Sequence, residues 1–274
     1  MSVVRKQIIL KGILQGIGLR PTVYRLATKH GLSGWVINTT EAVRIEIEGA
    51  RDNCDWFLSE LPTAIPSPGR IDVIQTEDRS PLGETSFSIK RSIETQRDIT
   101  PIPPDVAVCP ECASELLDPK NRRHLFPFIT CTLCGPRFTV VRAFPYDRER
   151  TSMADFVMCE DCKSEYLNPN DRRFHSQTNS CPKCGPQLSL LDNCGRQIEG
   201  DQIVESIRLL KQGKIIAVKG IGGFHLAVDA LNENAVQRLR DLKGRAEKPF
   251  AVMTRDIEEL KRLASTVLSV VKKN

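Results

Sequence analysis

No apolar run in the 274 residues approaches the ~18 needed to cross a bilayer. The opening segment, MSVVRKQIILKG, has neither a long apolar stretch nor a small-residue cleavage site. Membrane and secreted classes are therefore excluded, no membrane partner is expected, and the setting read from the sequence is cytoplasmic. Aromatics are scarce at 5% of residues, against 17 Gly and 17 Pro, which points to small cores separated by turns. There is no strong charge of one sign either: 39 Lys and Arg against 34 Asp and Glu leave +5. That excess can attract a phosphorylated substrate but does not by itself argue for nucleic acid. At ~150 residues per domain the length suggests roughly two domains.

What the sequence does have is cysteine, ten in all. Without a secretory signal, paired cysteines at fixed spacing mean metal or redox chemistry before disulfides. Eight fall in CxxC pairs: Cys109/Cys112, Cys131/Cys134, Cys159/Cys162 and Cys181/Cys184. Two consecutive pairs read C-x2-C-x18-C-x2-C, within the window of a four-thiolate zinc site, and the pattern returns after 50 residues. The repeat extends past the cysteines, since CPECASELLDPKNRR at 109–123 aligns with CEDCKSEYLNPNDRR at 159–173. Both second knuckles end in Gly-Pro, Gly135-Pro136 and Gly185-Pro186, suited to a tight turn whose amides point back at the thiolates. Four soft thiolates in a tetrahedron leave no open coordination position, so two structural zinc ions are expected. A thioredoxin-like redox pair would use one CxxC, not four in a repeat. Consecutive pairing is the simpler arrangement, and crossed pairing (109/112 with 181/184, 131/134 with 159/162) stays open. Cys54 and Cys194 have no partner pattern and read as free thiols.

The first ninety residues spell strand–helix–strand–strand–helix–strand with a further short strand near the end. RKQIILKG (5–12) is a strand, and GILQGIG (12–18) a glycine-bearing loop before a helix that Gly31 closes. SGWVIN (33–38) and VRIEIEG (43–49) are strands, 54–61 a short helix, and 71–77 and 86–91 strands. That is the split βαβ, ferredoxin-like arrangement. Strand, glycine loop and helix start together can cradle an anion, with Arg20 adding a fork of donors. LQGIGLRPTVYRLA followed by GWVIN resembles the acylphosphatase signature. The resemblance implies that the loop Gly16, Ile17, Gly18, Leu19 holds a phosphoryl group, Arg20 clamps it, and Asn38 positions the attacking water. Ile17 and Leu19 stand where valine and phenylalanine are usual, and Glu41-Ala42 where the family has a hairpin glycine, which puts that turn in question.

Residues 92–104 are polar and then proline-rich, a linker by composition. Beyond the cysteines, 201–213 is an amphipathic helix, KIIAVKG (214–220) a buried strand, and IGGF a turn. HLAVDA (225–230) reads as a strand, 232–245 as a helix capped by Asn232, and PFAVM (249–253) as another strand. Lys243, Arg245 and Lys248 place three cations over six residues before that strand, suited to a nucleotide's phosphates. The segment KGIGGFHLAVDA…LKGRAEKPFAVM resembles the YrdC/Sua5-type domain, and the basic triplet matches that family's nucleotide-binding pattern. His225 is left outside the site.

In this order the three parts resemble the N-terminal part of the HypF family of hydrogenase-maturation carbamoyltransferases. The expected fold is α/β (α+β) and multidomain: an acylphosphatase-like domain (1–91), a linker (92–104), two four-cysteine zinc fingers (105–190) and an incomplete YrdC-like domain (198–274). The resemblance implies hydrolysis of carbamoyl phosphate to carbamate, its adenylation with ATP, and transfer to the C-terminal cysteine of a HypE-type acceptor protein. The acceptor then makes the iron cyanide ligand of [NiFe]-hydrogenase. Two rivals are a stand-alone acylphosphatase with a finger interaction module, and a zinc-ribbon nucleic-acid binder suggested by Arg122-Arg123 and Arg172-Arg173. The arginine pairs sit at equivalent repeat positions, which suits structural support of each finger, and no nucleic acid is expected.

Overall fold

The computed structural model describes residues 2–95, 100–245 and 247–263, divided into two compact units at 1–187 and 188–274. Part of the expected linker (96–99) and the end of the expected third domain (264–274) lie outside the described residues. No described helix is long and apolar enough to cross a membrane.

The first unit begins with the alternation that the sequence shows. Strands β1 (Val3–Ile13), β2 (Ser33–Asn38), β3 (Val43–Ala50), β4 (Arg70–Arg79) and β5 (Phe87–Ile89) form one sheet. Its order is β4-β1-β3-β2-β5, and only the β2–β5 pairing is parallel. Helices α1 (Leu19–Lys29) and α2 (Arg51–Glu60) are the crossovers. Ile8 and Leu10 of β1 and Ile45 and Ile47 of β3 pack with Val23 and Ala27 of α1 and Phe57 of α2 in one apolar cluster. The period-two pattern on the strands and the 3.6-residue pattern on α1 thus meet at a single layer. The Glu41-Ala42 turn closes without glycine because the Thr39 hydroxyl both accepts from the Ala42 amide and donates to the Ala42 carbonyl, each at 3.1 Å.

One ion network is buried in the sheet. Arg5 donates to Glu48 at 2.7 Å, to Glu84 at 3.3 Å and to Glu46. Glu48 also accepts the amides of Leu82 at 2.8 Å and Gly83 at 2.7 Å, tying the loop before β5 to β3. Burial alone would raise the Glu48 carboxyl, but the Leu82 amide, the Arg5 guanidinium and the Gly83 amide outweigh it and hold the pKa below the usual glutamate value.

The described parts of the segment that composition marks as a linker lie along the sheet. Ile93 bridges Thr39, Thr95 donates its amide to the Thr40 hydroxyl, and Thr100, 4% exposed, donates its hydroxyl to the Gly12 carbonyl at 3.1 Å. Polar residues chosen for a loop here satisfy the ends of strands. After it come α3 (Pro110–Leu117) and α4 (Glu160–Leu167), each beginning at the second residue of a CxxC, with two 3-10 turns at Arg148–Arg150 and Ser152–Asp155 between them.

The second unit contains α5 (Gln202–Lys211), the antiparallel hairpin β6 (Ile216–Gly220) and β7 (Gly223–Ala227), α6 (Glu233–Lys243) and α7 (Ile257–Leu263). Asn232 caps α6 through its side chain as expected, and Asp201 caps α5 in the same way. Three expectations are corrected. Strand β6 is largely exposed rather than buried, β7 starts at Gly223 inside the expected turn, and 249–253 is not a strand. An apolar β-branched run becomes a strand only beside a pairing partner, and among the described residues this one has none.

Glu48→Gln is expected to cost about 1–3 kcal/mol at pH 7, the penalty of a weakened buried charge-assisted network. Because the folded carboxyl titrates lower than an unfolded one, this contribution is complete above ~4.3 and is lost as pH falls through the folded value. Denaturant melts at pH 7 and pH 3 check it: the gap between variant and parent should narrow at pH 3.

Candidate active site and metal centres

The loop between β1 and α1 turns on two glycines in the left-handed region, Gly16 at φ +75° and Gly18 at φ +81°. Gly18 is also the N-cap of α1, whose first turn carries no acidic residue. Among the described residues, none of the amides of residues 16–20 has an acceptor within the protein. Free amides at a helix start, without a competing carboxylate, form an anion cradle. A Cβ on Gly16 would meet Arg137 and Tyr146 at 3.3 Å, and one on Gly18 would meet Thr132 at 3.3 Å, so the finger segment covers the loop closely.

Gly16, Gly18, Leu19, Arg20 and Asn38 line one cavity of about 30 Å³, space for roughly two waters. Ile17 does not line it; its side chain is in the sheet core, leaving only its amide for the loop. Asn38 is 2% exposed, and its side chain has no hydrogen-bond partner among the described residues. The finger segment supplies the opposite wall, with Thr132, Arg137, Tyr146 and the run His175–Thr178. Gln15 holds the two halves together by donating to the Thr39 carbonyl at 2.6 Å and accepting the Tyr146 amide at 2.9 Å. Arg137, 3% exposed, donates to the carbonyls of Gly16, Cys134 and Thr132. Burial, and next the Arg20 charge, push His175 down to about 4, leaving a neutral ring beside the arginine. Burial raises the Tyr146 phenol, which stays protonated. Sequence reasoning misses this wall, because nothing in FPYDRER or HSQT says which surface it covers.

The eight paired cysteines form two clusters of consecutive pairs, Cys109/Cys112/Cys131/Cys134 and Cys159/Cys162/Cys181/Cys184, and crossed pairing is ruled out. Within them neighbouring sulfurs lie 3.5–3.8 Å apart. A tetrahedron with Zn–S of about 2.3 Å has S···S edges of about 3.8 Å, so both cages fit zinc. The Gly-Pro amides do not serve the sulfurs as expected: Gly135 donates to the Val106 carbonyl and Gly185 to that of Cys181. The Leu133 amide does reach the Cys131 sulfur, at 3.4 Å. Cys54 is buried and Cys194 exposed, both outside the cages.

The paired arginines support the opposite finger rather than their own. Arg122 donates to the Cys162 sulfur at 3.3 Å, and Arg123 holds Glu165 and the Ser180 carbonyl. Fifty residues on, Arg172 donates to the Cys112 sulfur at 3.2 Å, and Arg173 holds Glu115 and the Thr130 carbonyl. The cross-bracing is reciprocal, position for position. Burial opposes ionisation of Glu165, but hydrogen bonds from Arg123 and Arg122 bring it down to about 2. Glu115 and Glu165 stand at equal positions of the repeat, which marks the pair but not which finger's arginines each one meets.

In the second unit Lys243 ends α6, and Gly244 caps it at φ +58°, the bend needed to bring Lys243 and Arg245 toward one anion. Lys243, Arg245 and Lys248 are exposed and make no ion pair among the described residues. Arg240 reaches across the bend to the carbonyls of Arg245 and Lys248.

Comparison with known proteins accounts for each part. An acylphosphatase profile matches residues 6–89, a HypF finger profile 108–141 and 158–191, and the Sua5/YciO/YrdC profile described as telomere recombination 208–273. Carbamoyltransferase HypF2 of Cupriavidus necator is 50% identical over 257 residues, 93% of this chain and 32% of that protein. The probable carbamoyltransferase HypF of Methanocaldococcus jannaschii is 48% identical over 91% of this chain and 33% of its own length. The acylphosphatase of Moorella thermoacetica is 33% identical across 94 residues, 34% of this chain and its own whole length. A crystal structure of full-length HypF in the phosphate- and nucleotide-bound form superposes with a TM-score of 0.88 at 45% identity, covering 95% of this chain and 34% of that one.

Metal analysis of the purified chain is expected to give two zinc ions. Arg172→Ala, in the second finger, should speed zinc loss from the first cage, because a thiolate there loses a charged donor worth about 1.5–3 kcal/mol. Chelator-competition kinetics on Cys112→Ser and Arg172→Ala resolve which cage responds. Equal retention in Arg172→Ala would show that the bracing is without consequence.

Proposed function

Because the chain belongs to the HypF carbamoyltransferase family, spanning about a third of the length of the relatives it matches, we propose that its first unit hydrolyses carbamoyl phosphate. On this reading residues 1–91 are the acylphosphatase domain, 92–104 the connection, 105–190 the two structural zinc fingers, and 198–274 the start of the adenylating domain. The observation that carries it is the free amides of residues 16–20 beside Arg20 and Asn38 in one cavity. The amides and Arg20 bind the phosphoryl oxygens, and Asn38 orients a water toward phosphorus. The bond from phosphorus to the acyl oxygen breaks, releasing carbamate and inorganic phosphate. A mixed anhydride is already reactive, so charge binding and water orientation suffice.

In the whole protein the carbamate is joined to AMP from ATP and passed to the C-terminal cysteine of a HypE-type acceptor, toward the cyanide ligand of [NiFe]-hydrogenase. Lys243, Arg245 and Lys248 are the proposed phosphate contacts of that adenylation. The matches to carbamoyltransferases across more than nine-tenths of the chain favour this over a stand-alone acylphosphatase. The finger arginines, engaged with thiolates and carboxylates, leave the nucleic-acid reading unsupported.

The chain should release phosphate from carbamoyl phosphate. Arg20→Ala should lower kcat/KM by ~10²–10³, and Asn38→Ala should lower kcat with a smaller effect on phosphate binding. Unchanged hydrolysis in Arg20→Ala refutes the assignment. In the full-length protein, Lys243→Ala with Arg245→Ala should abolish carbamoyl-phosphate-dependent exchange of pyrophosphate into ATP while leaving acylphosphate hydrolysis intact.

A further inference from the structure

The guanidinium of Arg20 offers two forks for bidentate binding, Nε with Nη2 and Nη1 with Nη2. Its Nη2 donates to the Tyr146 carbonyl at 3.1 Å and to the Asp147 carboxylate at 2.7 Å, and its Nη1 donates to the Ser92 hydroxyl at 3.1 Å. Both forks contain Nη2, and both of its protons are taken. A bidentate clamp on a phosphoryl group therefore needs one of these acceptors to leave. The backbone carbonyl of Tyr146 is held from both sides, by the Tyr146 amide on Gln15 and the Arg148 amide on Gln177. Asp147 hangs on a single side chain.

Asp147 is built into this position. Arg148, the next residue, donates to the carbonyls of Gln177 and Asn179, and its amide donates to the Gln177 side chain. These bonds anchor the turn to the second finger, and they leave the carboxylate aimed at Arg20. Two polar groups near the cavity behind lack partners. The hydroxyls of Tyr146 and Ser176, residues that line it, are buried without a partner, which costs about 1–3 kcal/mol each unless a ligand or water satisfies them. On the other side lies a recess of about 640 Å³ bearing Lys90, Arg91 and Lys163. Arg20, His175 and Gln177 line both spaces. Asp147 lines only the recess, so an anion arriving there meets the ion pair before it meets the loop.

We propose that Asp147 is a displaceable counter-ion of Arg20: it holds the place of the phosphoryl group until an acylphosphate exchanges with it, and it returns as phosphate leaves. This rests on the reading of Arg20 as the clamp. The exchange selects by charge and shape. A monoanion gains little over the carboxylate already present, whereas a phosphoryl group adds contacts with the loop amides. It also limits product retention, since the departing phosphate competes with a tethered carboxylate.

Calorimetric titration of the chain with inorganic phosphate tests this. Asp147→Asn and Asp147→Ala, each checked for two zinc ions per chain, should bind phosphate at least ~10-fold more tightly than the parent, and Arg20→Ala should lose binding. Equal or weaker binding in the Asp147 variants, with binding lost in Arg20→Ala, overturns the exchange and makes the carboxylate a support of the bound state. Parent-like binding in Arg20→Ala overturns the clamp, and the exchange with it. Should neither Asp147 variant keep its zinc, carboxyl 13C NMR of the unsubstituted chain decides. Saturating phosphate should shift the Asp147 side-chain carboxyl resonance, and an unchanged resonance overturns the proposal.

Discussion

A zinc dication held by four thiolates leaves two negative charges on each cage, and the protein around the two cages has little apolar material to enclose them. The cluster beneath the first finger consists of Cys112, Phe126, Ile129, Cys131 and Cys134, so the ligands are themselves much of the core. Charge and metal must do what hydrophobic burial does elsewhere. The answer is the exchange of arginines between fingers, which sets a guanidinium against each cage and a glutamate against each arginine pair. The finger pair becomes rigid on those terms, and its rigidity positions the wall over the loop of residues 16–20.

The first cage and the loop of residues 16–20 are thereby mechanically joined. Arg137 follows the second knuckle of the first cage, and its guanidinium bonds the carbonyls of Thr132 and Cys134 on one side and of Gly16 on the other. Thr132, whose carbonyl Arg137 holds, lies over Gly18, and its hydroxyl donates to the Arg172 carbonyl. The first cysteine cage is therefore tied by position to the loop of residues 16–20, and its four thiolates leave no coordination place open.

Legibility followed the reach of each signal. The alternation Val43, Ile45, Ile47 against Arg44 and Glu46 defines which face of β3 is buried, and the sheet follows because every strand finds its neighbour within ninety residues. The glycines and Arg20 could be singled out because loop and helix start are contiguous in sequence, and the structure brings them to one cavity. Cysteine spacing is equally local, and the cages are paired as the simpler arrangement requires. The direction in which Arg122 and Arg172 point was not readable, since spacing carries no information about which of two equal partners a side chain chooses. Asp147 and Tyr146 were missed for a related reason: they lie between the repeats, and their role is set by the surface they cover. The strand expected at 249–253 failed because apolar content is local while pairing is not.

The reciprocal bracing has the form of a two-fold homodimer written into one chain, with an isologous interface in which each residue meets the counterpart of its own partner. Positions on the pseudo-axis are bound to change together: a substitution at Arg122 is felt at Cys162, and one at Arg172 at Cys112. Positions away from the axis are released from that bond. Arg137 has Gln187 as its counterpart fifty residues on, and Gln187 merely folds back on the carbonyls of Pro182 and Gly185. The tandem repeat thus separates two parts, a shared half that builds both cysteine cages and a private half in which a single copy covers the loop of residues 16–20.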